Sequence, residues 1–286
     1  MKKLIGLALI GLMAAAVFAR GRTDSGSSGA AGRSIVIMSR EEGSGTRSAF
    51  TELFGVLDAD NRDNITPAAE ITNSTAVMMT SVAGDPAAVG YISLGSLNDT
   101  VKALSIDGVA ATSANAASGA YKIVRPFFIA TKGDVKAPAQ DFINFIMSRN
   151  GQDVVEQNGC VRMPDRGPFT SALPTGKIVA AGSSSVTPVM EKLKEAYAAV
   201  NPGATVEIQQ SDSSTGINAT VEGICDIGMA SREIRSTEID KGVRGIQIAT
   251  DGIAIIVNKG NALNGLTKEQ VRAVYLGEAE TWNAVR

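Results

Sequence analysis

From Ser34 onward, short apolar runs that fit strands alternate with amphipathic stretches that fit helices, and this alternation restricts the fold more than anything else in the chain. Ser34 to Met38 (SIVIM) reads as a buried strand, and Ser44 to Leu57 sets Phe50, Leu53, Phe54 and Leu57 on one helical face. Tyr121 to Thr131 reads as a long strand broken by Pro126, and Pro138 to Arg149 as a helix that Gly151 stops. Further strands are expected at Lys177 to Ala181, Ala204 to Gln210, Ile224 to Met229 and Gly252 to Asn258. Helices are expected at Pro188 to Val200, Gly216 to Glu222 and Thr267 to Leu276, the last opened by a Thr267–Gln270 capping box. Strands interleaved with helices imply an α/β fold with a parallel or mixed sheet. The segment Arg162 to Gly176, with three prolines and two glycines, reads as a linker or surface loop.

Composition removes whole classes of function. The 286 residues contain no histidine, so no Ser-His-Asp or Cys-His hydrolase and no His-ligated metal centre can be built. The two cysteines, Cys160 and Cys225, cannot make a four-thiolate zinc site, and their apolar surroundings read as buried free thiols. No metal and no cofactor is expected. A net charge of -2 lacks the basic excess of a nucleic-acid binder.

Met1 to Ala19 combines two lysines, an apolar run from Leu4 to Phe18 and small residues before a cleavage point, which is the pattern of a secretory signal peptide. Residues 20–32 are rich in glycine and serine and read as a flexible tether. The expected location is therefore the periplasm or another extracytoplasmic space.

Three places share one local design, in which a strand ends, a Gly/Ser/Thr cluster follows and a helix begins. They are Gly43-Ser44-Gly45-Thr46, Gly182-Ser183-Ser184-Ser185 and Ser213-Ser214-Thr215-Gly216. A helix N-terminus carries unpaired N–H groups and about half a positive charge, so it attracts anions. Hydroxyls add donors, and glycine lets backbone approach a ligand closely. One such loop is adequately explained by helix capping, but three, with Arg40 four residues before Ser44, are the makings of an oxyanion site. None of them reads as a nucleotide P-loop.

The segments SREEGSGTRSAF, DPAAVGYISL, YKIVRPFFIAT, IVAAGSSSVTPVMEKL, QQSDSSTGI, CDIGMASRE, IATDGIAIIVN and LTKEQVRAVYLGEAETW together resemble the periplasmic phosphate-binding proteins of ABC phosphate importers. The resemblance implies a two-lobed type II periplasmic-binding-protein fold with mixed sheets and a cleft between the lobes. One lobe would be discontinuous, residues 33–119 and 252–286, and the other would span 120–251. The segment order looks circularly permuted: the GSGTR half precedes the GSSSV half, the old ends would be joined through residues 162–176 and new ones cut between Arg286 and Arg33, which is tolerated where the original ends lie close together on the surface, here in the same lobe.

Carried over residue by residue, the resemblance implies that Arg40, Ser44, Gly45, Thr46, Ser184, Ser185 and Ser214 contact phosphate, with Ser231 as a further donor. Where well-known members carry an aspartate that accepts the proton of hydrogen phosphate, this chain has Ser231-Arg232-Glu233. Glu233 and Asp251 are then the candidate acceptors. The implied protein is a monomeric, non-enzymatic receptor that captures inorganic phosphate and passes it to ABC permease subunits. Two other readings are weighed beside it: a receptor for sulfate or molybdate, and a secreted serine-dependent hydrolase. The hydrolase is disfavoured because no lysine lies within four residues of any of the serine loops.

Overall fold

The structure, a computed structural model, describes residues 34–285, and the expected signal peptide and tether lie outside the described residues. The chain begins with β1 (Val36–Arg40), α1 (Gly45–Phe54), β2 (Glu70–Thr72), α2 (Thr75–Gly84) and β3 (Ala88–Ser93). After a 3-10 turn at Leu94–Ser96 come β4 (Lys102–Ala103), β5 (Ser105–Ile106), α3 (Ser113–Ala117), β6 (Val124–Lys132), α4 (Ala137–Met147) and α5 (Arg149–Gln157). Then follow β7 (Val161–Arg162), β8 (Gly176–Ser183), α6 (Thr187–Val200), β9 (Ala204–Ser211), α7 (Ser213–Glu222) and β10 (Ile227–Ala230). The chain closes with α8 (Ser236–Ile239), β11 (Val243–Val257), β12 (Gly265–Leu266) and α9 (Lys268–Leu276).

One mixed sheet runs through the molecule in the order β2-β1-β3-β11-β6-β10-β8-β9. At one end β1 lies parallel between β2 and β3, and at the other β8 lies parallel between β9 and β10. Two apolar cores flank this sheet. The first gathers buried side chains from Ile37 to Ile123 and from Ile253 to Val285, and the second those from Phe127 to Ala249. We call these lobe one and lobe two.

Strand β11 serves both. Its first part, Val243–Gly252, pairs antiparallel with β6, and its second, Ile253–Val257, pairs antiparallel with β3. The sequence pattern leads one to expect only the apolar second half, because Arg244, Gln247 and Thr250 dilute the first. Pro126 does not break β6: it stands opposite Thr250, and β10 reaches only as far as Phe128 on the other side. A proline is tolerated where one flank of a strand has no neighbour to bond.

Gly151 does not end a helix either. It sits in the first turn of α5, where its amide donates to the capping hydroxyl of Ser148, and a β-carbon there would lie 2.1 Å from the Phe145 carbonyl oxygen. The glycine permits two helices to meet almost without a gap. The Thr267–Gln270 capping box is present in both directions.

Residues 162–176 are laced onto lobe two. The Asp141 carboxylate accepts from the Ser171 hydroxyl (2.6 Å), the Ala172 amide (3.2 Å) and the Tyr197 hydroxyl (2.8 Å). At the other end of the molecule Ile35 N–H donates to the Glu280 carbonyl (2.8 Å), so both ends of the described chain lie together in lobe one. Cys160 and Cys225 are both free and buried, and burial pushes both thiols up from their ordinary pKa. Among the described residues, no helix is long and apolar enough to cross a membrane.

Candidate functional site

In an open α/β sheet, ligands bind beyond the carboxyl ends of the parallel strands. Here the carboxyl ends of β1, β2, β8, β9 and β10 deliver hydroxyl-bearing loops from both lobes to one place. Helices α1, α2, α6 and α7 begin at those loops, so four sets of first-turn N–H groups lie close to it.

Arg40 closes β1 and is only 1% exposed. Its backbone is fixed by the Tyr91 hydroxyl, which accepts from Arg40 N–H (3.2 Å) and pairs with the Ser39 hydroxyl (2.8 Å), and by Arg47 Nη1, which donates to the Arg40 carbonyl (2.7 Å). Burial pushes the Tyr91 phenol up to about 12, so it stays neutral. The guanidinium donates Nε and Nη2 to the two oxygens of Glu41 (2.7 and 2.6 Å), and Nη2 also to Ser184 Oγ across the cleft (3.1 Å). Nη1 is buried without a partner. A charged donor left unpaired in the interior costs on the order of 1–3 kcal/mol or more, so it marks a place where a ligand group is wanted.

Around that guanidinium the hydroxyls interlock. Thr46 Oγ1 is 2.8 Å from Ser185 Oγ, joining lobe one to lobe two. Ser183 Oγ donates to Ser231 Oγ (2.9 Å), and Ser231 N–H donates to Ser213 Oγ (3.1 Å). All of these side chains are buried. Ser44 caps α1 by accepting from Arg47 N–H (3.3 Å). Gly45 sits where a β-carbon would lie 2.4 Å from Ser213 Oγ and 2.8 Å from Ser231 Oγ, so only a glycine lets the two loops meet.

Thus Arg40, Ser44, Gly45, Thr46, Ser184, Ser185 and Ser231 are brought together, but Ser214 stands differently. Its amide donates to the Gly43 carbonyl across the cleft (3.2 Å), while its hydroxyl faces Arg232 (3.4 Å). It is the preceding Ser213 whose hydroxyl enters the cluster, because α7 starts at Ser213 and not at the expected Gly216. Thr75 also belongs to the cluster: its amide donates to Ser184 Oγ (3.3 Å), and its own hydroxyl is 3.3 Å from Ser185 Oγ. Its sequence, Thr72-Asn73-Ser74-Thr75, repeats the design of a strand, then hydroxyls, then a helix, and that signal could have found it.

Neither candidate proton acceptor turns toward the hydroxyls. Glu233 is exposed, and it is its backbone carbonyl that accepts from Arg232 Nη1 (2.8 Å). Asp251 is fully buried at the passage between the lobes. One of its oxygens accepts from Ser93 Oγ (2.9 Å) and Gly95 N–H (3.2 Å), and the other from Arg125 Nε and Nη2 (3.2 and 3.1 Å). Burial raises its pKa, against the opposing pull of Arg125. The carboxylate that touches the site is Glu41, which sequence reasoning passed over. A second buried pair, Arg232 with Glu238 (2.7 Å), lies beside the cluster. No group of three or more metal-ligating side chains occurs among the described residues.

Two lobes on a shared sheet, with donors for an anion gathered between them, define a solute-binding protein. The chain belongs to the PBP superfamily, whose domain matches residues 13–150 and 167–285. Two streptococcal relatives are each named phosphate-binding protein PstS 2. That of Streptococcus agalactiae serotype V is 52% identical over 287 residues, covering 99% of this chain and 97% of the relative. That of Streptococcus pneumoniae serotype 4 is 42% identical over 289 residues, covering 100% and 99%. The crystal structure of a phosphate-binding protein of a phosphate ABC transporter from Streptococcus pneumoniae TIGR4 matches with a TM-score of 0.69 at 42% identity, covering 88% of this chain and 100% of that one. Because the two relatives align end to end, the segment order that looks permuted is shared with them.

Proposed function

We propose that this chain is an extracytoplasmic receptor that captures inorganic phosphate between its lobes and delivers it to an ABC importer, without chemistry of its own. The observation that carries this reading is the buried, unpartnered Nη1 of Arg40 beside hydroxyls drawn from both lobes. A tetrahedral oxyanion has enough acceptor positions to take the donors of Arg40, Thr46, Thr75, Ser184, Ser185, Ser213 and Ser231, with first-turn amides at Gly45 and Thr46. Charge-assisted hydrogen bonds contribute roughly 1.5–3 kcal/mol each, so a handful of them offsets the desolvation of the anion. In this reading Glu41 is the carboxylate beside the bound anion. It shares Arg40 with the ligand and accepts a hydrogen bond from the P–OH group that hydrogen phosphate has and sulfate lacks. Capture by a monomer, after export through a cleaved signal peptide, completes the proposal.

Isothermal titration of the mature protein with phosphate tests it. Saturable binding at one site, with a raised melting temperature, is the expected result. A flat titration, or tighter binding of sulfate or molybdate than of phosphate, would overturn it. Turnover of a chromogenic phosphomonoester would overturn the non-enzymatic part alone.

A further inference from the structure

Asp251 and Arg125 stand directly opposite one another in the ladder between β11 and β6. One residue further on, Gly252 is still paired with β6 at Val124, and the next, Ile253, has already passed to β3 at Ser93. The pair therefore sits where the chain crosses from one lobe to the other, and both side chains are buried, Asp251 wholly and Arg125 to 3% exposure.

The hydrogen bonds of the pair run in two directions. Toward lobe one, Asp251 holds Ser93 Oγ and Gly95 N–H, the end of β3 and the turn after it. Toward lobe two, Arg125 Nη1 donates to the carbonyl of Ser231 (3.3 Å), whose hydroxyl and amide belong to the cluster. The guanidinium carbon lies over the Phe127 ring, 5.2 Å from its centroid. A buried ion pair is seldom the most stable way to fill such a space, since an apolar pair of equal volume does as well or better. What it supplies is direction, because a guanidinium fork and a carboxylate accept few relative orientations.

We propose that Arg125 and Asp251 are positioning residues for the anion site, transmitting the setting of the lobe crossing to Ser231. The proposal rests on the reading of the hydroxyl cluster as the anion site. Neither residue touches the ligand. Together they fix the carbonyl of Ser231, and with it the direction of the Ser231 hydroxyl toward the cleft.

The test compares Asp251→Asn and Arg125→Lys with Asp141→Asn, which removes a buried carboxylate's charge in lobe two far from the cluster. Melting temperature without ligand, phosphate affinity by calorimetry and phosphate release by stopped flow are measured on the full mature chain. All three variants are expected to melt lower than wild type. Only Asp251→Asn and Arg125→Lys are expected to bind phosphate at least tenfold more weakly, mainly through faster release. Affinities within twofold of wild type for both would overturn the proposal, as would an equal loss in Asp141→Asn. Should the two hinge variants not fold, Ser93→Ala decides, with threefold or greater weakening supporting the proposal and unchanged affinity overturning it. A wild-type chain that binds no phosphate would instead sink the ligand assignment, and this proposal with it, whereas wild-type binding with unaltered variants would sink the positioning role alone.

Discussion

The α-carbon of Gly45 in lobe one lies so close to Ser213 in lobe two that a β-carbon on it would come within 2.4 Å of the Ser213 hydroxyl. Gly45 is the first residue of α1, where alanine is a good helix former, so Gly45→Ala should fold normally. On the proposed capture between lobes that part without ligand, the clash of the added methyl group with Ser213 and Ser231 falls on the bound form. Overpacking of this kind costs about 1–3 kcal/mol, which corresponds to a loss of roughly 5- to 150-fold in affinity. Calorimetry with phosphate, beside a melting curve without it, checks this: affinity should fall while the ligand-free melting temperature stays within a degree or two of wild type. An unchanged affinity would show that these two loops do not meet around the ligand.

On the proposed function Arg40 has two tasks at once, since its Nε and Nη2 hold Glu41 while Nη1, buried without a partner, is left for the ligand. A lysine keeps the charge but has no fork with which to do both. Arg40→Lys should therefore weaken phosphate binding by about tenfold or more, and Arg40→Ala by about a hundredfold or more, given roughly 1.5–3 kcal/mol per charge-assisted bond. If Arg40→Lys binds like wild type, the fork is irrelevant and only the charge counts.

Neighbouring serines at the start of α7 make an internal control. Ser213 faces Ser231 within the cluster, whereas the Ser214 hydroxyl faces Arg232 outside it. Ser213→Ala should lower phosphate affinity by about 5- to 30-fold, as expected for losing a hydrogen bond and leaving buried partners unsatisfied at about 1–2 kcal/mol. Ser214→Ala should stay within about twofold, a change of under 0.5 kcal/mol. The same reasoning places Thr75→Val with Ser213→Ala. The reverse order for the two serines would mean that the first turn of α7 is set differently in the bound protein.

Acid stability should report on Glu238. Burial alone would raise its pKa, but the hydrogen bonds from Arg232 and from Arg235 N–H outweigh that and hold it below the ordinary glutamate value. A carboxylate whose pKa is lower folded than unfolded stabilises the protein above its unfolded pKa, and that contribution is lost as the pH falls through its folded pKa. Thermal melts from neutral pH down into the acid range should fall steeply for wild type once the pH drops below about 4.5. Glu238→Gln should melt lower at neutral pH and lose less on acidification. Asp251 acts in the opposite sense, because its raised pKa makes protonation easier in the folded protein. Parallel pH profiles for wild type and Glu238→Gln would remove Glu238 from this account.

Much of the hydroxyl cluster could be read from the sequence because its components are local. A strand end, a run of hydroxyls and a helix start follow one another directly at Arg40 to Thr46 and at Gly182 to Thr187. What could not be read depends on distant contacts or on a shift of a few residues. Ser213 and Ser214 exchange roles because α7 begins three residues earlier than its apolar pattern indicates. Thr75 was passed over because β2 is only three residues long and shows no alternation. Asp251 carries a charge and looks available in the sequence, yet Ser93, Gly95 and Arg125, all more than 120 positions away, saturate it. The first half of β11 was hidden because several polar residues lie in a strand that crosses between two cores.

That strand has a consequence for how the molecule comes apart. With 15 residues shared among β6 and β7 in lobe two and β3 and β4 in lobe one, β11 supplies a strand to each lobe, and neither lobe has a complete sheet without it. Heat or denaturant that pulls β11 from β6 also disturbs its grip on β3, so the two halves share one fate. The protein is thus expected to come apart as a single cooperative body, melting in one calorimetric peak and not through the separate loss of two domains.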